Sequence, residues 1–205
     1  DVVKEGRQVV NNIQNSTSLF LMKTIMMIFT TLLTLILGRM PPFQPKNLYV
    51  IEFFVIGIPA FFLALRTNDS LIKGSFLRNI FSSTLPKGLA LAVCVAAVYI
   101  FEKFLGISGD ANALTMTVML AVTYAGIAGL FVLCAPYTKI SLSVALGSLF
   151  LSTAAFWVFD RLSEVGFWIF GELDYGLEKL NPTLLLFLAA VVILSAAIMT
   201  AGKII

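Results

Sequence analysis

Two ionisable residues, Lys23 and Glu52, stand well inside long apolar runs. A charged side chain there is costly, and where one persists it faces a bundle interior or a wet cavity that binds, relays or balances ions. Glu52 opens the stretch EFFVIGIPAFFLAL (52–65), whose middle holds Gly57 and Pro59. Pro59 has no N–H to give the carbonyl of Val55, four residues back, and its ring crowds that carbonyl. Gly57 weakens the helix further. Irregular backbone at membrane depth must be buried in protein or line water, and broken helices with open carbonyls are a recurrent way to hold cations. The candidate cation pathway is therefore Glu52, Lys23 and the backbone carbonyl of Val55, with a helix break at Gly57 and Pro59. Glu52 is the one candidate metal ligand. Each residue also has a plainer reading. Glu52 is then a boundary carboxyl reached by water, Lys23 a side chain snorkelling to headgroups, and Pro59 a kink satisfied by neighbouring helices.

Other chemistry is excluded by what is missing. The chain has no histidine, so His-based acid–base catalysis and His metal sites fall away. Cys94 and Cys134 both lie in apolar runs and read as free buried thiols. A formal charge of +3 over 205 residues is too small and scattered for a nucleic-acid partner.

The elements that must position Lys23 and Glu52 follow from composition. With 59% hydrophobic and 12% charged residues, and a mean hydropathy of +0.97, the chain cannot cover a water-facing surface. The expected fold is all-α, a polytopic membrane bundle of six transmembrane helices whose second helix is broken at Gly57-Pro59. The spans read as about 19–37, 48–65, 85–101, 113–135, 140–159 and 183–201, continuous apolar runs without strand alternation. They form a transmembrane domain over 19–205, preceded by a cytoplasmic segment, 1–18. The joints are RMPPFQPKN (39–47), a longer loop with an amphipathic helical turn at 67–84, short loops at 102–112 and 136–139, and a longer one at 160–182.

Six spans put both termini on one side. That side gathers eight bases against three acids, and the other five bases against seven acids. Bases favour the cytoplasm, so both termini are expected there, with Lys87 among the cytoplasmic charges. Phe167, Trp168, Phe170 and Tyr175, set among acids, read as an interfacial aromatic loop. Ala121, Ala125 and Gly129, four residues apart, form a small-residue stripe for close helix packing. On these spans Lys23 lies near the inner end of the first and Glu52 near the outer end of the second. Helical rise then leaves a gap on the order of 15 Å along the membrane normal, which argues against assuming a direct ion pair.

Two stretches carry a resemblance to a known family. VVKEGRQVVNNIQNSTSLFLMKTI (2–25), an apolar span, a Pro-rich turn and then IEFFVIGIPAFFLAL (51–65) resemble the P-type cation-transporting ATPases, calcium-pump-like branch. Glu5, Gly6, Arg7, Asn11 and Asn12 match the segment that ends that family's phosphorylation domain and enters its fifth membrane helix. Glu52 to Ala60, EFFVIGIPA, matches the family's unwound sixth-helix motif N-L-V-T-D-G-L-P-A. Four further spans follow, as in that branch, so the resemblance covers the chain as family helices five to ten. Gly57, Pro59 and Ala60 keep the unwinding G-x-P-A. Glu52 takes the asparagine position, while Val55 and Ile56 take the threonine and aspartate positions of two calcium ligands. Lys23 falls at or next to a fifth-helix ligand position, where it resembles a built-in charge standing in for a cation.

The resemblance implies the cation-pathway portion of an ATP-driven pump. The sequence holds no D-K-T-G-T phosphorylation segment, so no catalytic residue and no cofactor is expected in this piece. ATP and magnesium are implied for the intact ion-translocating hydrolase. The implied partners are the lipid bilayer and the missing N-terminal helices and cytoplasmic domains of the same chain. The implied location is a bacterial plasma membrane. A start at Asp1 without methionine fits a piece of a longer protein. The alternatives are a secondary cation transporter or channel using Glu52 and Lys23, and a non-transporting membrane scaffold.

Overall fold

The computed structural model describes residues 2–42, 45–65, 70–71, 74–135, 137–164, 177 and 180–204, with only the backbone described at 45–46, 163–164 and 203–204. Among the described residues there are helices and no strands. In chain order they are α1 (Val2–Ile36), a 3-10 turn (Pro45–Leu48), a π-helix (Ile51–Gly57), α2 (Ile58–Ala64), α3 (Phe76–Phe101), α4 (Ala111–Cys134), α5 (Lys139–Glu164) and α6 (Pro182–Ile204). Five of the α-helices are long and apolar enough to cross a membrane; the sixth segment is the shorter apolar helix Ile51–Ala64. The chain is a polytopic helical membrane protein. The aromatic residues expected at the interface, Phe167, Trp168, Phe170 and Tyr175, lie outside the described residues.

The helix ends are written in local chemistry. Asp110 accepts from the N–H groups of Asn112 and Ala113, both at 3.0 Å, and starts α4. Thr138 and Ser141 cap α5 reciprocally, each hydroxyl accepting from the other's N–H. Asn181 accepts from Leu184 N–H at 2.8 Å, with Pro182 as the first residue of α6. Ser75 caps α3, so the helix takes in 76–84, the second half of the stretch read from sequence as a loop. Gly38, at φ +63°, ends α1 in a Schellman pattern. There Arg39 N–H donates to Thr34 and Gly38 N–H to Leu35.

Pair contacts fix the directions. Down the α1 seam, Asn12 meets Ala64, Ser16 meets Ala60 and Lys23 meets Glu52. The two residue numbers add to 75 or 76 each time, so the second membrane segment runs antiparallel to α1. Thr84 donates to Ser18, and Gly88 packs on Met22 and Ile25, so α3 runs parallel to α1. Phe101 against Phe187 and Pro86 against Gly202 set α6 antiparallel to α3. The Tyr124–Thr153 and Ser141–Cys134 bonds set α5 antiparallel to α4.

The centre of the bundle is packed through small residues. α4 is the most buried span, with 78% of its apolar window inside. Its stripe works as expected: Ala121 and Ala125 are fully buried, and Gly129 sits against the sulfurs of Met199 and Met22. A Cβ on Gly126 would come within 3.0 Å of Val55. A Cβ on Gly88 would lie 2.5 Å from Ile25, and one on Gly202 2.4 Å from Pro86. These approaches draw α1, the π-helix and α6 onto α3 and α4, where dispersion contacts and apolar burial hold them. Neither cysteine is in a disulfide, and both are buried, as the sequence suggested.

Candidate functional site

The site forms where α1 meets the π-helix. Residues 51–57 keep helical dihedrals but bond five residues back: Ile58 N–H donates to Phe53 carbonyl. The segment expected to be broken at Gly57-Pro59 is thus a widened turn that stays helical. Its irregularity lies on the N-terminal side of that pair. Glycine permits it, because a Cβ on Gly57 would press to 3.0 Å from the Glu52 carbonyl oxygen. Proline enforces it. In the π register the next donor after Ile58 is residue 59, which as proline has no N–H for the Phe54 carbonyl. In the α register that follows, the same proline fails the Val55 carbonyl. The sequence argument named only the second of these.

Lys23 Nζ donates to Glu52 Oε1 in a direct ion pair. The side chains stay 27% and 40% exposed, so the pair is sheltered on one flank and open on the other. Sequence depth had put about 15 Å between them, and the structure corrects this. Matching the edges of the apolar runs sets Leu19 beside Leu65. In the observed register Asn12 sits beside Ala64, an offset of about eight residues, or ~12 Å of helical rise. The error came from treating the polar stretch before Leu19 as outside the bundle. Asn11, Asn12 and Ser18 are buried, and each has a hydrogen-bond partner across a helix seam. Asn12 donates to Ala64 carbonyl at 2.8 Å, Ser16 to Ala60 carbonyl at 3.1 Å and Asn11 to Ser70 carbonyl at 3.0 Å, while Ser18 accepts from Thr84. The doubled asparagine after E-G-R was the available signal: two adjacent amides at a helix entrance are costly to bury unless each has a carbonyl to bind.

The remaining predicted residues fall close by. Val55 is fully buried against Gly126 of α4, and Pro59 is buried at the start of α2. Glu5, Gly6 and Arg7 lie on the first turns of α1, where residues 2–6 are exposed and the helix projects beyond the seam. With 35 residues, α1 is about 52 Å long against a hydrocarbon core of about 30 Å. Among the described residues no three acidic, cysteine or histidine side chains gather into a metal cluster.

Lys87, counted from sequence among the cytoplasmic charges, is buried three turns into α3. There its Nζ donates to the carbonyl and hydroxyl of Ser83. The sequence argument also missed Arg39 and Glu102 as partners. Arg39 Nη1 donates to both Glu102 oxygens at 2.8 and 2.7 Å. Its guanidinium lies 5.8 Å from the Tyr99 ring centre, and Tyr99 OH donates to Met40 carbonyl at 3.2 Å. This knot ties the turn after α1 to the end of α3. The Glu102 hydrogen bond raises the Arg39 pKa above its ordinary value.

Comparison with known proteins gives relatives of one kind. The chain is 36% identical over 109 residues to the calcium-transporting ATPase CtpE of Mycolicibacterium smegmatis, covering 48% of this chain and 14% of that protein. It is 37% identical over 112 residues to the protein of the same name from Mycobacterium tuberculosis, with the same shares. A probable cation-transporting ATPase, exp7, of Streptococcus pneumoniae is 30% identical over 177 residues, or 80% of this chain and 22% of the relative. The chain therefore spans between about a seventh and a quarter of the length of these relatives. No family model matches, and no solved structure matches.

Proposed function

Because this chain belongs to the P-type cation-transporting ATPases, we propose that it is the transmembrane cation pathway of an ATP-driven pump. On this reading the nucleotide and phosphorylation sites, with ATP and magnesium, belong to other parts of the same protein. Further membrane helices of that protein complete the bundle within the lipid bilayer. The membrane is a bacterial plasma membrane, and both termini face the cytoplasm.

The observation that carries the reading is the Lys23–Glu52 pair beside a proline-terminated π-helix. A lysine ammonium is a compact, mobile point charge. Seated on Glu52 it fills the place a transported cation would take. The carbonyls that Pro59 cannot satisfy add oxygen next to the carboxylate. α1 is the element that can separate the pair, since it carries Lys23 and projects past the bundle. Asn12 and Ser16, bonded to carbonyls of α2, make the seam respond to movement of α1. Withdrawal of Lys23 leaves a carboxylate in a low-dielectric setting, where attraction for a cation is strong. Its return drives the cation off by like-charge repulsion. Calcium takes six to eight oxygens, more than Glu52 and two carbonyls supply, so a calcium site would need oxygens from the other helices.

The test is a cation screen of ATPase stimulation on the full-length protein and its Glu52→Gln variant. Glu52→Gln is expected to weaken stimulation by the active cation on the order of tenfold, about 1.4 kcal/mol. Unchanged stimulation and affinity would refute a ligand or proton role for Glu52. A D-K-T-G-T segment upstream of residue 1 in the gene is the matching sequence expectation; its absence there would favour a transporter or channel working without ATP.

A further inference from the structure

Away from the Lys23–Glu52 seam, a cavity of about 670 Å³ opens between α1, α3, α4 and α6. It lies at the end of the bundle where α4 and α6 finish, since Ala135 and Gly202 line it. Its polar side is a strip made by Asn15, Arg78, Ser82, Ser83 and Lys87. Arg78 and Lys87 are nine residues apart on one helix, so the two positive charges lie about 13 Å apart along the axis. Arg78 is exposed at the rim and Lys87 is buried at depth, 5% exposed. Among the described residues that line it none is acidic.

The helix is opened here as well. Pro86 has no N–H for the carbonyl of Ser82, and Ser82 and Ser83 line the strip beside it. Gly202 lets α6 close directly on the Pro86 ring, which seals one side. The opposite wall is apolar, with Leu133 of α4 and Met199 of α6. Leu85, 45% exposed on the bundle surface, marks where the cavity meets the lipid-facing side.

From this arrangement we propose a binding site for the phosphate headgroup of an anionic phospholipid. A basic strip alone would serve any phosphate. The apolar wall and the opening past Leu85 add what a lipid needs, a surface for its chains leading out to the bilayer. Basic pockets between membrane helices take lipid headgroups for this reason. Lys87 and Arg78 supply the charge, and the Ser83 hydroxyl, which accepts from Lys87, donates to a phosphate oxygen. The inference is independent of transport and of Glu52.

The experiment is native mass spectrometry of the full-length protein carrying bound lipid, prepared from mixed phosphatidylglycerol and phosphatidylcholine. Phosphatidylglycerol is expected to be retained in preference to phosphatidylcholine. Lys87→Gln and Arg78→Gln are each expected to lower that retention about fivefold. Lys87→Arg is expected to keep it. Arg78 is exposed, so its variant tests the site even if Lys87→Gln fails to fold. Millimolar inorganic phosphate or glycerol 3-phosphate is expected to leave the lipid in place. Equal retention in Arg78→Gln, or no preference for the anionic lipid, would overturn the proposal. Displacement by inorganic phosphate would overturn it in favour of a soluble-anion site.

Discussion

Lys23–Glu52 and Arg39–Glu102 are both ion pairs between separate parts of the bundle, the first between α1 and the π-helix and the second between the turn after α1 and the end of α3, and they are built for opposite ends. Arg39 reaches both oxygens of a buried carboxylate, is backed by an aromatic ring, and sits on a turn that Gly38 and Tyr99 also hold. Lys23 reaches one oxygen of a carboxylate that is 40% exposed, beside a π-helix that runs into Pro59. A guanidinium is a planar fork that never loses its charge, whereas an ammonium is a point charge that moves on a flexible stem. The first pair fastens the bundle and the second can be exchanged. The difference lies less in the charges than in the backbone behind them, a closed helix terminus in one case and a π-helix in the other.

The sharpest way to break this comparison is to remove each base in the full-length protein. Lys23→Ala is expected to change cation-stimulated ATPase activity by on the order of tenfold with a melting temperature close to wild type. Arg39→Ala is expected to leave stimulation near wild type and to lower the melting temperature by a few degrees, because Glu102 stays buried without its partner. If both variants lose stability and keep stimulation, the two pairs are equivalent. The Arg39 guanidinium is also expected to stay charged across the physiological range. A base whose pKa is raised by its partner keeps its contribution as pH rises up to its ordinary value, which for a guanidinium lies far on the alkaline side, so the contact is lost only where the carboxylate partner protonates.

A smaller effect tests the backbone half of the contrast. Pro59→Ala returns an N–H and removes the ring clash, which favours a regular helix by about one net hydrogen bond, or roughly fivefold in population. Cation uptake into vesicles is expected to fall by about that factor. Uptake at the wild-type rate would leave Pro59 a packing feature. Smaller still is Asn12→Ala, which removes the donor to Ala64 carbonyl. It is expected to cost about 1 kcal/mol of stability and to loosen the response of uptake to ATP. Equal stability in a denaturation series would mean that water replaces the amide without loss.

The architecture was legible in the sequence because composition leaves a membrane chain few choices. Continuous apolar runs between polar joints give helices, and Ala121, Ala125 and Gly129 announce a close-packed face. The candidate residues stand out too, since Glu52, Gly57 and Pro59 each break a local rule. What the sequence hid was relative depth. Apolar runs mark composition, not the limits of a bundle, and Asn11, Asn12 and Ser18 are polar yet inside because carbonyls and hydroxyls meet them. Lys87 is buried in the same way, held by Ser83 one turn back. The form of the break was hidden for another reason. A proline shows that a ladder must fail, but whether the chain unwinds or widens into a π-turn depends on what packs around it, here α1, α4 and α5.

The central claim is that Lys23 and Glu52 act as one exchangeable unit, and a double-mutant cycle measures this directly. Cation-stimulated ATPase activity is measured for the full-length protein, Lys23→Ala, Glu52→Gln and the double variant. The account predicts strong non-additivity, a coupling of about tenfold or more, with the double variant no worse than Glu52→Gln alone. Effects that simply multiply would contradict it, leaving two charges that touch in the folded protein without working together.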